Sequence, residues 1–184
     1  MPQPGVRQGL SRRDLMERAV FLVGGAAAVA MLDSCDASKA PFFSNAQMAR
    51  LTRIVDIIIP ATDTPGAVGA GVPQFMDSMM THWASRDTRA KFVSVLDDID
   101  AAAQTQFHGA FTDLKPAQQL DTVRAYDQKQ ISAGGDNPYK AFKQLVLLGY
   151  YHSQIGATQE LHYELVPGHW IADAPLAQIG RTWA

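Results

Sequence analysis

From Ser44 onward, apolar side chains recur every three or four residues in five separate stretches. That is the period of a helix that buries one face. In the first stretch, Met48, Leu51, Ile54, Val55 and Ile58 share a face. Ser44 or Asn45 is a good N-cap for it, and Pro60 ends it. The second begins at Pro73, a favoured first-turn position, with Phe75, Met76, Met79, Met80 and Trp83 as its stripe. Asp87 is placed to cap the third, where Phe92, Leu96, Ile99 and Ala103 align before the pattern fades at Phe107-His108-Gly109. The fourth, LKPAQQLDTVRAYDQKQ, has Pro116 in its first turn and directs Leu120, Val123 and Tyr126 inward. ISAGGDNP breaks it, and Asn137-Pro138 opens the fifth, with Phe142, Leu145, Val146 and Leu148 towards a core.

No alternating strand pattern competes with these helices, and no internal repeat is visible. Pro60 to Pro73 is a loop dense in proline and glycine. Beyond Gly156 the period is lost. YELVPGHWIADAPL reads as an extended tail, from about residue 157, that wraps the domain or docks on a partner. The expected fold is all-α: a compact bundle of about five helices with an extended C-terminal tail. It occupies residues 44–184, behind a linker at 36–43.

Residues 1–35 form a different pattern. Arg7, Arg12, Arg13 and Arg18 precede an apolar run from Ala19 to Leu32 that only Gly24 and Gly25 interrupt. The run is short for a membrane span and stops at Asp33. A charged start, a short apolar stretch and a small-residue exit are the parts of an export signal. Ser11-Arg12-Arg13-Asp14-Leu15-Met16 is similar to the twin-arginine (Tat) motif, which addresses folded cargo. Two processing sites compete. Ala28-Val29-Ala30 fits cleavage before Met31, whereas Leu32-Asp33-Ser34-Cys35 fits lipidation of Cys35 except at Asp33. Lipidation would tether the protein to a membrane without a spanning helix.

Composition narrows the chemistry. The 184 residues are 47% hydrophobic and 18% charged, which is globular rather than disordered. A net charge of -2 and a pI of about 6.2 argue against a nucleic-acid binder. A single cysteine excludes an intrachain disulfide and a thiolate metal cage. The five histidines make no HExxH pair, and no CxxCH is present to attach haem c. No Walker A loop, GxSxG elbow or strand-borne GxGxxG occurs. Asp63 fits either a partner contact or the fixing of its own turn, and the second is preferred. Met76, Met79 and Met80 read as core filler, and Asp97, Asp98 and Asp100 as a solvated helix face. No residue is nominated as catalytic or as a metal ligand.

Three stretches together resemble the gluconate 2-dehydrogenase subunit 3 family. They are LTRIVDIIIPATDTPGAVGAGVPQFMD at 51–77, LKPAQQLDTV at 114–123 and LLGYYHSQIGATQELHYELVPG at 147–168. The resemblance implies a small non-catalytic subunit that itself binds no cofactor. It implies a large partner, an FAD-containing flavoprotein of the glucose-methanol-choline (GMC) type that oxidises sugars, sugar acids or polyols. It further implies a c-type cytochrome partner carrying haem c, and a small subunit whose signal takes the folded flavoprotein through the Tat translocase to the periplasm. The complex is expected at the inner membrane.

On that footing Arg12 and Arg13 are the export residues, and Cys35 is the candidate lipidation site. Candidate interface residues are Asp63, Thr64, Pro65 and Gly66 in the loop, with Tyr150, Tyr151, Tyr163 and Trp170 near the tail. Aromatic side chains are favoured interface anchors, and their alternative role is to pack the tail on its own helices. The rival function is a stand-alone periplasmic lipoprotein that binds a small ligand between its helices.

Overall fold

The computed structural model describes residues 40–135, 137–163, 165, 168, 173, 175, 177 and 180–183. The expected export segment with Arg12, Arg13 and Cys35 lies outside the described residues, as does Trp170. Among the described residues five α-helices form, in the order the periodicity predicts: α1 (Asn45–Ile58), α2 (Val72–His82), α3 (Arg86–Phe107), α4 (Pro116–Ala133) and α5 (Pro138–Tyr151). A 3-10 turn at Phe111–Asp113 precedes α4, and a π-helical turn at Gly156–Glu160 follows α5. No strand occurs among the described residues, and an isolated bridge pairs His162 with Trp183.

Local chemistry sets the helix ends. Ser44 and Gln47 make a reciprocal capping box at α1, each side chain accepting from the other's backbone N–H. Ser85, not Asp87, caps α3: its hydroxyl accepts from the Thr88 amide at 3.1 Å. Asp87 sits inside the first turn, where its charge complements the helix dipole and reaches Lys91 at 2.7 Å. α4 runs through Ile131 to Ala133, beyond the break the sequence suggests, because the stop is Gly134 at φ 65°. Asn137 caps α5 by accepting from the Lys140 amide at 2.9 Å.

The core is built from the predicted faces. Leu51, Ile54 and Val55 of α1 meet Met76 and Met80 of α2 and Leu96, Ile99 and Ala103 of α3. Phe142 and Val146 of α5 join them, with Phe92 and Phe142 rings 5.6 Å apart. Two predicted core positions face outward instead. Trp83, one residue past the end of α2, is 79% exposed, and Leu148 on α5 is 47% exposed.

One buried polar side chain ties three elements together. Gln119 of α4 accepts from Arg53 Nε of α1 at 2.6 Å and donates to the Phe111 carbonyl at 2.9 Å. Asp97, Asp98 and Asp100 of α3 are engaged rather than merely solvated. Arg50 of α1 reaches Asp97 at 3.0 Å and Asp100 at 3.1 Å, Asp100 caps the Phe111 amide, and Asp98 accepts from Tyr126. Burial, reinforced by Asp98, pushes the Tyr126 phenol well above its usual range, so it stays a neutral donor.

α2 and α5 approach closely at Gly149, which is buried. A Cβ placed there would lie 2.7 Å from Phe75 Cδ1 and 3.5 Å from Val72 Cγ1. Overpacking of this kind costs about 1–3 kcal/mol. Gly149→Val is expected to lower the unfolding free energy by about that amount in urea titration. The double variant Gly149→Val/Phe75→Ala should lose less than the sum of its single variants, because the second change opens the space the first fills.

Candidate functional site

The proline-rich connection between α1 and α2 is a braced loop. Its ends close on one another: the Ala67 amide donates to the Ile59 carbonyl at 2.9 Å, and the Val72 amide to the Ala67 carbonyl at 3.0 Å. Gly66 makes that closure possible. It is buried, and a Cβ would fall 2.5 Å from the Ile59 oxygen and 2.6 Å from the Ala61 nitrogen. Both are backbone atoms of the same loop, so no rotamer change can relieve the clash.

Two distant side chains hold the loop from outside. Tyr150 of α5 is 2% exposed and its hydroxyl donates to the Pro65 carbonyl at 3.0 Å. The Thr64 hydroxyl donates to Glu160 of the π-helical turn at 2.6 Å. That turn has its own steric requirement. A Cβ at Gly156 would lie 2.0 Å from the Tyr150 carbonyl oxygen, which already accepts from the Ser153 hydroxyl at 2.7 Å. The chain can therefore fold back over the end of α5 only with glycine at 156.

Asp63 stands at the tip, fully exposed. It accepts from the Thr62 hydroxyl at 2.9 Å. That bond lowers the carboxyl pKa most; the loop's own amides and the Arg181 charge lower it further. Its folded value lies below the unfolded one. The interaction therefore favours the fold above the usual carboxylate range and is lost as the pH falls through the lowered value.

The tail returns to this region. The His162 amide donates to the Thr182 carbonyl at 2.8 Å, and the His162 and Trp183 rings meet edge to face at 4.1 Å. Arg181 donates to the Gln159 carbonyl. Tyr151, Glu160, Leu161 and residues 180–183 line an open hollow of about 540 Å³ between the π-helical turn and the returning tail.

The structure thus brings Asp63, Thr64, Pro65, Gly66, Tyr150 and Tyr151 to one end of the bundle. They are not equivalent. Gly66 and Tyr150 are buried and hold the loop, whereas Asp63 and Tyr151 (39% exposed) are open to contact. Tyr163 is 54% exposed in the tail. The sequence marks Gly149 to Gly168 as a candidate interface segment without giving Gly149, Gly156 or Glu160 a role of its own, and it does not single out Arg181. The GYY…IGAT spacing carries the two glycines, but Thr64 and Glu160 lie 96 positions apart and give no local signal.

Among the described residues, no group of three or more His, Cys, Asp or Glu side chains is arranged to hold a metal. No described helix is long and apolar enough to cross a membrane. The fold and this region define a small all-helical domain with a loop-and-tail surface braced from within. Residues 45–168, about two thirds of the chain, match the family model described as gluconate 2-dehydrogenase subunit 3. The chain belongs to that family, and its class is that of a subunit in a dehydrogenase complex. No curated protein and no solved structure matches it.

The bracing is testable without a partner. Tyr150→Phe removes one hydrogen bond and is expected to cost about 0.5–1.5 kcal/mol in urea titration. It should also speed proteolytic cutting between residues 60 and 72. Gly66→Ala should destabilise more than Gly69→Ala, because a Cβ at Gly69 would come no nearer than 3.1 Å, to the Pro65 side chain.

Proposed function

We propose that this chain is the non-catalytic small subunit of a periplasmic, membrane-associated dehydrogenase acting on sugars, sugar acids or polyols. The large subunit is an FAD-dependent flavoprotein of the GMC type, and a c-type cytochrome with haem c takes its electrons. The small subunit binds the folded flavoprotein, stabilises it by mass action and leads it through the Tat translocase. One observation carries this reading. A domain of the subunit 3 family follows an arginine pair and a short apolar run in the same chain. A folded-cargo signal on an accessory subunit is useful where the catalytic partner has none.

Asp63, Tyr151 and Tyr163, all exposed, are the proposed contact residues at the braced region, and Trp170, outside the described residues, is proposed with them from the sequence. Gly66 and Tyr150 act by keeping the loop in shape, with Tyr150 holding Pro65 and Glu160 holding Thr64. Cys35 is the proposed lipid attachment if cleavage before Met31 does not precede it. Intact mass of the exported protein separates these two outcomes.

Replacing Arg12 and Arg13 together by lysine is expected to leave both this chain and the flavoprotein in the cytoplasm. Fractionation followed by a dye-linked dehydrogenase assay reads the result. Undiminished periplasmic activity in that variant, with no signal on the flavoprotein, contradicts the escort role.

A further inference from the structure

Away from the braced loop, α5 leaves an uncovered furrow against α2 and α3. Its walls are Met79 and Trp83 on one side and Leu145 and Leu148 on the other, over a floor that includes buried Phe92. Its volume is about 350 Å³, and no charged side chain lines it. Trp83 is 79% exposed on its bank, the highest exposure of any aromatic residue among those described. The apolar surface continues over the ridge of α5 through Leu147 to Ile131, which is 62% exposed. Leu147 and Leu148 of α5 are both exposed, with Trp83 facing Leu148 across the furrow and Ile131 beside Leu147 in the adjoining hollow. Isolated exposed apolar residues need no explanation, but a contiguous set does.

Shape and charge indicate what covers it. The surface is a concave groove beside a helical ridge, the form that receives another helix. Methionine on the wall suits such a surface, since its flexible thioether adapts to incoming side chains. The charges next to the furrow along the chain are mainly cationic. Arg86 and the Asp87–Lys91 pair follow Trp83, Lys140 opens α5, and Lys143 is paired with Asp127 at 2.7 Å. That leaves a cationic surplus of Arg86 and Lys140 on a chain of net charge -2. Pairing with a second copy would add a second Arg86 and Lys140 next to the first in sequence-flanking positions of the furrow, which disfavours self-pairing. A partner with acidic flanks fits.

We propose that this furrow receives an amphipathic helix of the flavoprotein subunit, with apolar residues at i, i+3 or i+4 and i+7 and carboxylates at its edges. The inference rests on the small-subunit reading above and adds a second contact surface to the loop-and-tail end. Trp83 and Leu148 are its anchors: Trp83 has few contacts to lose within its own chain, and Leu148 forms the opposite wall.

The test expresses the full chain with a tag in its native cell and captures the complex through that tag. Trp83→Asp and Leu148→Asp are each expected to reduce the captured flavin at least tenfold. Leu148→Met should retain it, and the unfolding midpoint of the free small subunit should hold in all three. Full capture by both aspartate variants overturns the furrow while leaving the small-subunit reading intact. Absence of flavin with the unaltered chain overturns both. Two other results also overturn the furrow proposal. One is a dimer of the free chain that Leu148→Asp splits. The other is loss of sedimentation with anionic phosphatidylglycerol vesicles in the aspartate variants while flavin capture stays full.

Discussion

The last turn of α5 is the point on which the rest of the domain depends. Gly149 and Tyr150 are neighbours on it and do opposite things. Gly149 contributes no side chain, and that absence lets Phe75 and Val72 of α2 settle against the α5 backbone. Tyr150 contributes a large one, which crosses the interior and donates to Pro65. Its backbone carbonyl then receives Ser153, and the chain folds over it at Gly156. Helix packing, loop bracing and the start of the tail therefore share a single geometric origin. A shift of α5 along its axis would disturb all three together, since close-packed interiors transmit strain rather than absorb it.

The shared origin explains what the sequence resemblance marks. The stretches at 51–77 and 147–168 contain Gly66, Gly149, Tyr150 and Gly156. Each has a steric or hydrogen-bonding role inside the fold. None of these four is an acid, a base or a nucleophile poised on a cavity. The recognisable pattern of this chain thus describes how a loop and a tail are held in shape. Chemistry that works through contact needs that rigidity, because an interface ordered in advance loses less entropy on binding.

The helices were legible because each combines a 3.6-residue apolar period with local stop signals. Pro60, Pro73, Pro116 and Pro138 sit at helix boundaries or in first turns, and the buried faces of α1 and α3 follow the period closely. The errors have physical causes. Ser85 displaces Asp87 as the cap because it stands at the last extended residue before the helix. Trp83 and Leu148 satisfy the period, but the period only assigns them to a stripe. Whether a neighbouring helix covers that part of the stripe depends on tertiary packing. α5 meets α2 at Gly149, against Phe75 and Val72 and not against Trp83, and leaves those two side chains as facing walls of an open furrow.

The candidate site divides in the same way. Asp63 at a proline-rich tip was readable from local turn chemistry, and its bond from Thr62 is local too. The assignment of Tyr150 to a surface was not, since an aromatic at the end of a helix gives no sign of which way it points. Its partner, the Pro65 carbonyl, is 85 positions away, and Glu160 stands 96 positions from Thr64. Such contacts follow from where whole helices come to rest, not from any window of sequence. Once they are formed, a loop with abundant glycine and proline behaves as a fixed surface. Its buried members set the shape, while Asp63 at its tip and Tyr151 at the end of α5 stay exposed beside it. The same logic applies to the furrow beside α5. There the apolar walls that no helix of this chain covers are what the proposed partner helix would fill.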